Sequence, residues 1–148
     1  MRARLSSLRS LDSRAMNQEL LRFWINPERL AIARLAHDAP APSWPAGGFV
    51  SVSRTCEELS IVCAQSSVPR DVRQERDRIG LVIMGVVPMT TVGLLASLCT
   101  ALAEAKVPVF VVSTFDTDWI LVHVEHFEAA RAALLGLGHV VNGELPAD

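Results

Sequence analysis

The stretch Ile79-Gly80-Leu81-Val82-Ile83-Met84-Gly85-Val86-Val87-Pro88 is apolar, rich in β-branched residues and closed by a proline, which predicts a buried strand. The periodicity then changes. From Val92 to Ala105, Leu94, Leu95, Leu98 and Leu102 fall at i, i+1, i+4 and i+8, an apolar stripe at helical spacing, and Thr90 or Thr91 offers a capping hydroxyl at its start. Two further β-branched runs follow, Val107 to Ser113, with Pro108 among its opening residues, and Trp119 to Val124. A second helix is expected from His126 to Leu137, with Phe127, Ala130, Leu134 and Leu137 on one face and Gly138 as its C-terminal cap. His139-Val140-Val141 supplies a last short strand. The order β-α-β-β-α-β is that of a ferredoxin-like sandwich, an α+β fold with helices on one face of an antiparallel sheet.

Towards the N-terminus the same grammar is present in reduced form. Leu30 to Leu35 reads as a strand, and His37 to Pro45 holds Pro40, Pro42 and Pro45 and is read as loop. Phe49 to Ser53 and Leu59 to Cys63 form a hairpin pattern around a polar connection. At an offset of 60 residues, Ser53 to Cys63 aligns without a gap with Ser113 to His123, pairing Glu58 with Asp118 and Val62 with Val122. This predicts a duplication whose first copy is truncated. The polar, charged segment Gln65 to Asp77 is read as a linker, and Asn17 to Trp24 as a short helix. The expected division is an N-terminal extension over 1–26, a truncated first unit over 27–70 and a complete second unit over 71–148. Arg2, Arg4, Arg9 and Arg14 against the single acid Asp12 mark a loose extension or a transit-type leader, the former being favoured.

Composition excludes several classes. Half of the 148 residues are hydrophobic, ample for a core, yet the longest apolar run, Ile79 to Met89, is far short of the roughly 18–20 residues of a membrane span. Fourteen basic and sixteen acidic residues give a net charge of −2, with no excess to displace counterions from nucleic acid. Three irregularly spaced cysteines, Cys56, Cys63 and Cys99, argue against a disulfide framework and for the reducing cytoplasm.

Two segments could carry chemistry. At the junction Val87-Pro88-Met89-Thr90-Thr91-Val92-Gly93-Leu94 a helix begins, presenting free backbone N–H groups and its positive dipole end, and Gly93 has no side chain to block them. Close packing of helix on sheet is the alternative use of that glycine. At the corner Ser113-Thr114-Phe115-Asp116-Thr117-Asp118, the acids Asp116 and Asp118 stand two apart and would share one side of an extended chain. A carboxylate there suits an ammonium group, although Asp116 and Thr117 are equally good turn residues. Together the two segments offer the anion site and the acid that a zwitterion needs. No third ligand accompanies the acids at metal-binding spacing, so neither metal nor cofactor is expected. No nucleophile elbow, phosphate loop, H-E-x-x-H or dinucleotide fingerprint is present, and no catalytic residues are assigned.

The segments Phe49 to Thr55, Glu58 to Cys63, Gly93 to Leu98 and Val112 to Val122 resemble the small bacterial tandem ACT-domain proteins, similar to the ACT repeats of the CASTOR arginine sensors. The resemblance spans Leu30 to Val141. It implies tandem ACT units that pair into dimers, with ligand bound at an interface between units. It places Gly93 and Asp118 in an amino-acid pocket; the junction and the corner add Thr91, Val92, Leu94, Thr114 and Asp116 as candidate ligand-binding residues. Val92 stands where relatives commonly carry Thr before the glycine, with Thr91 just upstream. The expected function is a non-catalytic, amino-acid-binding regulatory protein, a homodimer acting on itself or on a partner enzyme. The alternatives are a ligand-free dimerisation module, or a regulatory remnant related to aspartate kinase and too short to hold a kinase domain.

Overall fold

The computed structural model describes residues 20–147. The Arg-rich start and its proposed leader or extension lie outside the described residues. Eight strands and two helices follow one another: β1 (Arg22–Ile25), β2 (Leu30–Leu35), β3 (Ser51–Arg54), β4 (Leu59–Ala64), β5 (Gln74–Ile83), α1 (Leu94–Glu104), β6 (Phe110–Ser113), β7 (Asp118–His123), α2 (Phe127–Gly136) and β8 (Val140–Asn142). Over β5-α1-β6-β7-α2-β8 the order is the expected β-α-β-β-α-β, in an α+β architecture whose sheet is antiparallel except for the β1–β8 pair.

The sheet is organised around β5. On one edge β5 pairs with β2 near Gln74 to Arg78 and then with β1 along Leu81 to Ile83; on the other it pairs with β7 from Arg78 to Val82. Beyond β2 lie β4 and β3, beyond β1 lies β8, and beyond β7 lies β6. The segment read as a linker is thus partly strand, since β5 begins at Gln74. Its polar residues are tolerated because the ladder to β2 satisfies their backbone while their side chains stay half-exposed. The strand also ends earlier than Val87, at Ile83, where Gly85 turns the chain with φ +93°.

The helix expected over Asn17 to Trp24 is corrected where residues are described: Arg22–Ile25 is a strand between β5 and β8. Phe23 and Ile25 are both buried in one core while Trp24 is exposed. Two residues apart in a helix would point some 200° apart, whereas in a strand they share a face, so the shared core selects the strand.

Leu98 and Leu102 of α1, with Phe127, Ala130 and Leu134 of α2, pack on Ile79, Leu81, Ile83, Ile120 and Val122 of the sheet. Each fully buried Leu, Ile, Val or Phe among them contributes about 1.5–3 kcal/mol. Gly138, at φ +85°, ends α2 as expected, with its N–H bonded to Leu135 O at 2.9 Å. On the opposite face Leu30, Phe49, Val62 and Leu121 form a second core, and Phe49 stacks on Trp119 with ring centroids 4.0 Å apart. Gly80 permits that close packing: a Cβ there would lie 3.1 Å from Leu30 Cδ1 and 3.3 Å from the Trp119 ring.

The two hairpins share one register, at an offset one residue shorter than the sequence alignment. Arg54 faces Leu59 in the β3–β4 hairpin as Ser113 faces Asp118 in β6–β7. Thr55 N donates to Glu58 O at 2.9 Å, and Thr114 N to Thr117 O at 2.8 Å. The hairpins therefore superpose Thr55 on Thr114 and Leu59 on Asp118. The first copy lacks both helices. Ala39 and Trp44 of the proline-rich loop and Val72 of the β4–β5 connection pack where helices would lie.

Candidate functional site

The chain leaves β5 at Ile83 and crosses to α1 beside the β6–β7 corner, and two hydrogen bonds tie the segments together. Val87 N donates to Asp116 O at 2.7 Å, and Thr117 Oγ1 donates to Ile83 O at 2.6 Å. Between them opens a cleft of about 260 Å³. Of the expected site residues, Gly93, Thr91, Leu94, Thr114 and Asp118 line it. Val92 and Asp116 do not: Val92 is 82 % exposed, and Asp116 is an exposed turn residue whose backbone carbonyl holds Val87. Asp116 and Asp118 do not share a side, because the chain turns between them.

One wall is the start of α1. Gly93 is the N-cap, in the left-handed conformation at φ +83°, and no side chain caps the helix. The capping role expected of Thr90 or Thr91 is therefore not filled; Thr91 N instead closes a turn onto Pro88 O at 2.9 Å. The first amides of a helix have no intrahelical acceptor, and here Leu94, Leu95 and Ala96 carry them along the cleft. They form a concentration of donors at the positive end of the helix dipole.

The other wall is the corner. Asp118 is only 9 % exposed, and Ser113 Oγ, its partner across the ladder, donates to Asp118 Oδ1 at 2.5 Å. Among the described residues no Lys or Arg pairs with it. Sequence reading alone missed Ser113 as the partner of this acid, although it follows once the corner is read as a hairpin whose strands close at Ser113 and Asp118. Leu95 and Ala96 were also missed; their place in the first turn of α1 was the available signal. The equivalent position in the first hairpin is Leu59, fully buried, and among the described residues no α-helix starts beside it.

His123 and His126 lie away from this cleft with ring centroids 6.5 Å apart, and His123 Nδ1 accepts from Glu125 N at 3.3 Å, capping the turn before α2. Among the described residues no helix is long and apolar enough to cross a membrane.

Comparison with known proteins agrees with this architecture. The ACT-domain family model matches residues 74–135, from β5 through most of α2, and a second model, of an N-terminal domain, matches residues 28–71. No curated protein matches the sequence. Among solved structures, the protein Atu0741 from Agobacterium tumefaciens is 32 % identical, with a TM-score of 0.80 over 88 % of this chain and 98 % of its own. The regulatory subunit of aspartate kinase from Thermus flavus shares the fold at 11 % identity, with a TM-score of 0.57 over 78 % of this chain and 96 % of its own. Aspartate kinase from Clostridium acetobutylicum does so at 12 % identity and a TM-score of 0.60, this chain spanning 33 % of its length. The chain is thus an ACT-domain protein, with the ACT domain built on β5, and it belongs to one family with Atu0741, which it matches over nearly its whole length.

Proposed function

We propose that this protein is a non-catalytic regulatory module that binds a free amino acid in the cleft between the α1 start and the β6–β7 corner. The observation that carries the reading is the juxtaposition of a buried carboxylate, Asp118, which pairs with no Lys or Arg among the described residues, with the uncapped amides of residues 94–96. An α-carboxylate suits the helix start and an α-ammonium suits Asp118. The likeness to a protein whose name is the regulatory subunit of aspartate kinase supports a regulatory role. Because the first copy carries Leu59 in place of the acid, binding is expected at one molecule per chain. An exposed Cys56 and unpaired Cys63 and Cys99 suit a reducing compartment such as the cytoplasm.

Thermal unfolding against each of the twenty amino acids at millimolar concentration tests the reading. A ligand at about 100 times its Kd adds about 2.7 kcal/mol, a shift of several degrees. Twenty unshifted melting curves would refute amino-acid binding.

A second reading, a dimerisation module, is favoured by one observation. Val86, Met89, Val92 and Phe115 surround the cleft with exposures of 71, 75, 82 and 83 %. Apolar side chains that open to water are economically covered by a second copy or a partner enzyme. Sedimentation with and without ligand separates association that depends on the amino acid from association that does not.

A further inference from the structure

We infer that the amino acid taken by this cleft is one with an uncharged, apolar side chain of the leucine or methionine kind, an inference that rests on the proposed amino-acid site. The polar groups of the cleft are few, and most are already engaged. Ser113 Oγ donates to Asp118, Thr117 Oγ1 donates to Ile83 O, and Thr114 Oγ1 donates to Thr117 O while accepting from Thr117 N at 3.2 Å. What is left for a ligand is the second oxygen of Asp118, which takes no hydrogen bond among the described residues, the neutral lone pairs of the Ser113 and Thr117 hydroxyls, the α1 amides and Thr91.

Asp118 and the amides are just sufficient for one α-ammonium and one α-carboxylate. The remaining wall is Val87, Pro88, Met89, Leu94, Leu95 and Phe115. Among the described residues lining the cleft, Asp118 is the only ionisable side chain. A guanidinium or ε-ammonium would find no second acid, and if it took Asp118 it would leave the α-ammonium unpaired. A side-chain carboxylate would find no cation. Against the half-buried part of the wall, Val87, Leu94 and Leu95, a charge would lose water without gaining a partner, whereas an aliphatic or thioether chain meets a matching surface there. The volume of about 260 Å³ lies below the roughly 300–1,000 Å³ of clefts for drug-sized ligands and suits a single small metabolite.

Calorimetric titration of the full chain with leucine, methionine, alanine, arginine, lysine and glutamate tests the inference. Each buried methylene is worth about fourfold in affinity, so leucine or methionine is expected to bind at least tenfold tighter than alanine, with the charged amino acids weaker still. Met89→Glu supplies a second acid at a largely exposed position that the fold tolerates, and it should weaken leucine while admitting lysine or arginine. Binding of arginine, lysine or glutamate to the wild type as tightly as leucine overturns the apolar class and leaves the amino-acid site standing. Lack of binding by every amino acid overturns both. Unchanged specificity in Met89→Glu places the side chain elsewhere and overturns the assignment of this wall.

Discussion

Ser113 and Asp118 face each other as the last pair of the β6–β7 ladder, and the hydroxyl of one is hydrogen-bonded to the carboxylate of the other at 2.5 Å. The bond fixes the acid at the edge of the cleft with one oxygen turned over to the protein and the other available. Replacing Asp118 by Asn keeps the shape and removes the charge. The expected loss of leucine affinity is about 1.5–3 kcal/mol, the usual value of a hydrogen bond to a charged group. Ser113→Ala, which only releases the acid, should cost about 0.5–1.5 kcal/mol. Calorimetry on both variants decides this, and an Asp118→Asn protein that binds as tightly as the wild type takes the acid out of the site.

At Gly93 the issue is backbone conformation. Nothing lies within 4 Å of where its Cβ would be, so alanine there meets no clash, but φ is +83°. Alanine in the left-handed region costs about 1–2 kcal/mol, and asparagine, which tolerates it, should cost less. Urea unfolding of Gly93→Ala and Gly93→Asn is expected to rank them in that order. Equal stability of the two would show that the α1 start had rearranged.

Gly80 presents the converse case, with ordinary strand conformation and no room. A methyl group would press on Leu30 Cδ1, Asn26 Cβ and the Trp119 ring, at 3.1–3.3 Å. Overpacking of this kind costs about 1–3 kcal/mol. Gly80→Ala should therefore melt several degrees lower and, because Trp119 stacks on Phe49, change the near-ultraviolet circular dichroism. A variant with unchanged melting temperature and spectrum would mean that β5 shifts to make room.

His139 links stability to pH. It is 4 % exposed, its Nδ1 accepts from Leu21 N at 3.4 Å, its Nε2 has no partner among the described residues, and burial holds its pKa below the ordinary 6.5. The neutral ring is the one the fold accepts. Below pH 6.5 the unfolded chain takes up the proton first, so this contribution is complete above 6.5 and is lost as pH falls towards the depressed folded value. Asp77 acts in the same direction at lower pH. Its hydrogen bond from Gln65 and then that from Arg29 hold its carboxyl below 3.8, so its contribution persists above that value and disappears as acid protonates it. Melting temperatures between pH 7.5 and 5 should decline for the wild type and stay flatter for His139→Leu. Parallel curves would assign the decline to other groups.

The sequence makes the second unit legible because its signals are local. The α1 stripe, the α2 face and the Gly138 cap can each be read within a dozen residues. β1 escapes because Arg22 to Ile25 is too short to show a period, and what makes it a strand is the core under the helices, built from distant parts of the chain. The start of β5 escapes because Gln74 to Asp77 is polar, and its pairing is imposed by β2. The candidate site divides along the same line. Gly93 and Asp118 are visible as residue types in suggestive places, whereas Ser113 as a partner needs the hairpin register. That Val92 and Asp116 turn outward follows from the corner and the uncapped helix start, which only the folded chain shows.

β5 belongs to three ladders at once, to β2 near its start and to β1 and β7 further on. Neither half of the molecule can open without breaking the spine of the other, so the amides of Ile79 to Leu81 should exchange with deuterium only through global unfolding. The helix-free first half thus borrows its permanence from the second, and an amino acid seated beyond the far end of β5 would slow exchange as far away as β4.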